Sequence, residues 1–169
     1  MKNLQTLNID LLESIENTIS SLNDQQYTES MEVLSNATIG QHIRHMLEFY
    51  QAIDVAHKTG EIDYDDRKRS LKMESSIEFA KESIEVIKKN IVTYTEDKQI
   101  AMSGNYSLDS EKSSTISTSL SRELAFSMEH TIHHLAIIKN ALVIQGVKLE
   151  ENFGVAPSTI RFKNNICAQ

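Results

Sequence analysis

The chain has one cysteine, one proline, five glycines and no tryptophan among its 169 residues. A lone cysteine, Cys167, excludes an internal disulfide and fits a reducing compartment. It is expected to be a tail residue without a chemical role. With so few prolines and glycines there are few obligatory breaks, and the abundant Leu, Ile, Glu, Lys and Ser favour helices. Basic side chains are outnumbered, 17 against 24 acids, for a net charge of -7. That balance argues against a protein whose main task is gripping phosphate backbones, so no nucleic-acid partner is expected. Long apolar runs are also missing. Nothing approaches the roughly 20 residues of a membrane span. The opening stretch, MKNLQTLNIDLLESIENTIS, has no apolar core of the signal-peptide kind. The expected location is cytoplasmic, with no membrane partner.

Several catalytic signatures are absent too. The zinc-protease pattern HExxH fails because Thr131 follows His130. No Ser-His-Asp order, phosphate-binding glycine loop or pair of catalytic carboxylates stands out.

What the chain does have is helical periodicity. Leu4, Leu7, Leu11, Ile15, Ile19 and Leu22 recur at steps of three and four and predict a first helix with one apolar stripe. A polar link, NDQQYTESMEVLSN, leads to a second helix. Ser35, Asn36 or Thr38 can cap it, Gly60 can stop it, and Ile39, Ile43, Met46, Tyr50 and Ile53 share one side. After EIDYDDRKRS, a third helix carries Ile77, Ala80, Ile84, Ile87 and Ile91. A long polar segment, residues 95–118, follows; its turn-like SGNYS suits a short hairpin or an ordered loop. A fourth helix runs from Ser119 to Gln145, with Gly146 as its stop, and the tail is expected to pack on the bundle through Phe153. The whole, residues 1–169, reads as one all-α domain. It is a four-helix bundle with long links between helices 1–2 and 3–4.

The histidines carry the chemistry. On the fourth helix, His130 and His134 are four apart and stack one turn above the other, inside the arc of Leu124, Phe126, Leu135, Ile138 and Leu142. His133 falls at the edge of that arc. On the second helix, His42 lies within the apolar arc and His45 at its border. Two inward imidazoles plus a third from a facing helix suit a divalent transition metal, because zinc, nickel, iron and copper all accept neutral imidazole nitrogen. Three protein ligands leave a position open for water or substrate. Glu123 and Ser127 lie on the same face as His130 and are candidates to line the pocket or support the ligands. The plain alternative is a hydrogen-bonded polar core without metal. Angular placement alone slightly prefers His42 over His45 as the third ligand.

Four blocks, TIGQHIRHMLEFY, YDDRKRS, SRELAFSMEHTIHHLAIIK and FGVAPSTIR, together resemble the DinB / YfiT-like family of metalloenzymes, in the family's order and over most of the chain. The resemblance implies a four-helix bundle and a metal held by one histidine from the second helix and two, four apart, from the last. Carried over, these are His45, His130 and His134, with His42 and His133 outside the ligand set. It also implies zinc or nickel, with iron as a further option, and transfer or isomerisation of a small-molecule substrate with a low-molecular-weight thiol. Arg67 or Arg69 of DDRKRS is a candidate for holding an anionic substrate group, against the plainer reading of a solvated charge cluster. A homodimer is expected from the habit of relatives. The competing expectation is a non-catalytic metal- or ligand-binding stress-related scaffold.

Overall fold

The computed structural model describes residues 1–107 and 113–167, and of Cys167 only the backbone. The expectations for the thiol of Cys167 and for the middle of the 95–118 segment lie outside the described residues. Four long helices dominate: α1 (Lys2–Ser20), α3 (Ile39–Thr59), α5 (Ile77–Val92) and α6 (Leu120–Ile144). Short helices α2 (Asp24–Thr28) and α4 (Leu71–Ser75) sit in the links, and α7 (Pro157–Cys167) ends the described chain. Each of α3, α5 and α6 starts on a side-chain cap from Thr38, Ser76 and Ser119 respectively.

The principal packing runs in a ring, α1 on α5, α5 on α3, α3 on α6 and α6 on α1. Helices α1 and α3 are therefore diagonal, as are α5 and α6. Both long links of the sequence cross those diagonals, which is why they are long. Inside, the stripes of α3 and α5 are buried as their periodicity predicts. Tyr50 of α3 donates to Asn8 of α1 at 2.8 Å across the middle.

The first helix departs from its predicted stripe. Leu7 is 43% exposed, and the inward line runs through Asn8, Leu12, Ile15 and Ile19. Leu7 and Leu11 instead edge a surface groove.

A pure all-α architecture is also corrected. Three strands, β1 (Glu61–Asp63), β2 (Gln99–Gly104) and β3 (Ser114–Ser119), form a small sheet in the order β1-β2-β3. The β1–β2 pairing is parallel, with Ile62 opposite Met102; β2–β3 is an antiparallel pair within the long polar segment. Ile62 and Ile100 are its buried anchors. The sheet adjoins the end of α3 and the start of α6, because α3 ends one residue before β1 and β3 runs straight into α6. It thereby sets α3 and α6 antiparallel. The tail packs through Phe153, which is buried, and Lys139 donates to the Phe153 carbonyl at 3.2 Å. Among the described residues no helix is long and apolar enough to cross a membrane.

Candidate metal centre

The antiparallel α3–α6 pair stacks three rungs of rings. His42 faces His134 with Nδ1 to Nδ1 at 2.9 Å, and His45 faces His130 with Nε2 to Nε2 at 2.9 Å. Phe49 faces Phe126 with ring centroids 6.0 Å apart. The rungs follow from helix geometry: His42, His45 and Phe49 step down α3 at three and four, and Phe126, His130 and His134 step up α6 at four.

Among the described residues, one nitrogen from each of His45, His130 and His134 lies within 4.8 Å of the others, and all three residues are half-buried. Zinc with ~2.0–2.1 Å bonds to nitrogen spaces tetrahedral ligands ~3.4 Å apart. The His45–His130 pair, at 2.9 Å, reaches that spacing by opening about half an ångström, and a His134 nitrogen stands within 4.8 Å of both. His42 stands behind His134. The bond through Nδ1 leaves Nε2 of His134 for an ion and fixes how that ring is turned. His133 is exposed, as expected of a rim residue.

The protonation states suit ligation. Burial pushes His45 down to about 4, with the charges of His130, Arg67, His42 and Arg44 acting the same way. His134 is pushed down to about 3 by burial, then by His130, His45, His42 and His133. His42 and His130 are lowered by burial as well. At neutral pH the cluster is therefore uncharged and has lone pairs to offer.

The walls come from residues the sequence did not single out. Phe49 lies 4.4 Å from the His130 ring and stacks on Tyr64 at 4.6 Å. Phe126 stacks on His130 at 5.6 Å. Their spacing held a signal, since Phe49 is four after His45 and Phe126 four before His130. Tyr64 comes from the link after β1 and had none.

Arg67 belongs to the site's wall. Its guanidinium sits 4.4 Å over the Phe49 ring, and it also bonds the Tyr64 carbonyl. Glu48, 3% exposed, anchors it at 3.9 Å, meets Arg44 at 3.6 Å and accepts from Ser70 N at 3.0 Å. Arg69 is exposed and takes the solvated reading. Glu123 is fully buried but turned to other partners. It accepts from Tyr64 at 2.7 Å, Thr118 at 2.6 Å and Arg122 at 3.0 Å. It thus fixes Tyr64 and, through it, the aromatic wall. Ser127 is buried beside Tyr64.

No family profile matches the chain, and no solved structure matches it. A stretch of 103 residues is 31% identical to FK506-binding protein 5 from Rhizopus delemar, covering 59% of this chain and 27% of that protein. The chain therefore spans about a quarter of the length of the curated relative it matches.

Proposed function

We propose that His45, His130 and His134 hold one divalent transition metal, zinc or nickel before iron, in an enzyme that uses a low-molecular-weight thiol to transfer or isomerise a small-molecule substrate. The observation that carries this reading is the convergence of three uncharged imidazoles in a half-buried, aromatic-walled site. A bound ion would supply Lewis acidity there, holding a thiol as its thiolate at neutral pH. The other groups orient and exclude. His42 holds the ring of His134 in place through the Nδ1 contact. Phe49, Phe126 and Tyr64 keep water from one side of the cluster. Arg67, stacked on Phe49, offers a fixed positive charge for an anionic substrate group beside the reacting end. The four-block resemblance to DinB-like metalloenzymes supports the same reading.

The test begins with metal content. Protein purified without a histidine tag should carry close to one equivalent of metal, and His130→Ala should carry almost none. Equal, negligible metal in both would remove the centre. Metal-loaded protein is then assayed with thiols and electrophiles. Metal-dependent turnover supports the enzyme, and a loaded protein inert across that panel favours the non-catalytic scaffold.

A further inference from the structure

A second side of α3 borders a cavity that no histidine lines. Its volume is about 610 Å³, within the range of small-molecule sites, and it lies between α3, β1 and the link that follows β1. Glu48, Ala52, Val55 and Thr59 climb one face of α3 at steps of four, three and four, so this wall is about 16 Å long.

The two ends of the cavity differ in charge. Arg67 marks one end, 3.9 Å from the Glu48 carboxylate, with Lys68 next in the chain. Glu61 marks the other, where its backbone nitrogen donates to Thr59 Oγ1 at 3.2 Å, and Asp63 follows on β1. The lining acids near Arg67 are Glu48, which Arg44 shares at 3.6 Å, and the exposed Asp66. No base lines the Glu61 end.

These groups have bonding capacity to spare. Arg67 spends one of its five N–H donors in a hydrogen bond, to the Tyr64 carbonyl. Among the described residues Lys68, Glu61 and Asp63 join no ion pair. Between the ends, Gln51 of α3 and Ser103 of β2 are half-buried, and their side chains make no hydrogen bond to a described residue. Ala52 and Ile62 supply apolar surface beside them. An amide and a hydroxyl left unpaired in a cavity favour a ligand that brings donors and acceptors of its own. An extended peptide has this order of groups: a carboxylate, backbone amides with short side chains, then an ammonium. Three extended residues span about 10 Å, which leaves about 3 Å at each end of the wall for a charged contact.

We infer that the cavity binds a short peptide of about three residues, its carboxylate on Arg67 and Lys68 and its ammonium on Glu61 and Asp63. The inference shares Arg67 with the proposed function, because Arg67 also stacks on Phe49, but it needs no metal.

The experiment is calorimetric titration of trialanine into the full chain stripped of metal. The expected result is one-to-one binding with a Kd of about 1 mM or tighter. Trialanine amide and N-acetyl-trialanine each lack one charge and should bind about tenfold more weakly or worse. Glu61→Gln with Asp63→Asn, both at exposed positions, should weaken trialanine by a similar factor and leave N-acetyl-trialanine unchanged. Damage to the fold would weaken both peptides. Absence of binding overturns the inference. So does equal affinity for free and capped peptides, or a double variant that still separates trialanine from its acetylated form. Failure here leaves the metal centre standing, and peptide binding by a chain that holds no metal would leave this site standing alone.

Discussion

His42 and His45 pose the sharpest question at the scale of single residues, because both face α6 and only one joins the triad. They lie three apart, so about 60° of helix surface separates them. One helix read alone cannot say which of two such neighbours meets the partner's nitrogens. The cross-helix register decides it, and that register is a property of two helices and the sheet that joins them. In the structure His45 opposes His130, and His42 opposes Nδ1 of His134. Their removal should therefore have different consequences. His45→Ala should abolish stoichiometric metal binding. His42→Ala should keep one equivalent but weaken it by about 10- to 100-fold, the usual effect of losing a partner that orients a ligand. Competition against a chromophoric chelator measures both. Equal losses in the two variants would make His42 a ligand and not a support.

Among the elements, the four long helices were legible, and of the sheet only the antiparallel β2–β3 pair was, as one of two readings of residues 95–118; β1 and its pairing with β2 were not. The stripes of α3 and α5 repeat at the helical period and are buried as written. The strands lack the corresponding alternation. β3 is STISTS and mostly exposed, and among the described residues the sheet's buried hydrophobics are Ile62 and Ile100, with Met102 partly buried, so little apolar pattern marked it. The α1 stripe misled for a related reason: Leu7 is apolar at the right interval but edges a groove and not the core.

The tail offers a test of how its docking works. Gly146 and Gly154 both adopt left-handed backbone, with φ of 75° and 67°. A methyl at Gly146 would meet nothing within 4 Å, whereas at Gly154 it would come within 2.7 Å of the Ala136 backbone nitrogen. Gly146→Ala should therefore cost only the conformational term, about 1 kcal/mol. Gly154→Ala adds a clash with backbone that cannot rotate away. It should cost clearly more, about 2–3 kcal/mol. Urea unfolding of the two variants checks the order. Equal costs would mean that the tail does not press on α6 at Gly154.

For the whole molecule, the histidine cluster links stability to pH and to metal. In protein stripped of metal, His45 and His134 must stay neutral while folded, down to about 4 and about 3. Unfolded, the same imidazoles take up protons near ~6.5. Between those values the unfolded chain binds more protons than the folded one, so stability falls as pH falls. The loss begins near ~6.5, grows as the pH drops, and levels off only below the folded-state values. Metal-free protein should thus unfold at progressively lower temperature from pH 7 to pH 5. Replacing His45 and His134 by Gln should flatten that slope, because a neutral amide has no proton to gain. Bound metal acts in the opposite direction: an ion that binds only the folded state adds about 2.7 kcal/mol at a concentration 100 times its Kd. Metal-loaded wild type should therefore melt above stripped wild type at pH 7, and the double Gln variant should show no such gap. Thermal melts of the four samples across this pH range decide the matter. A stripped protein whose melting temperature stays level from pH 7 to pH 5 would contradict the buried, neutral state of the cluster. A level slope with the metal gap intact would place the ion elsewhere in the chain.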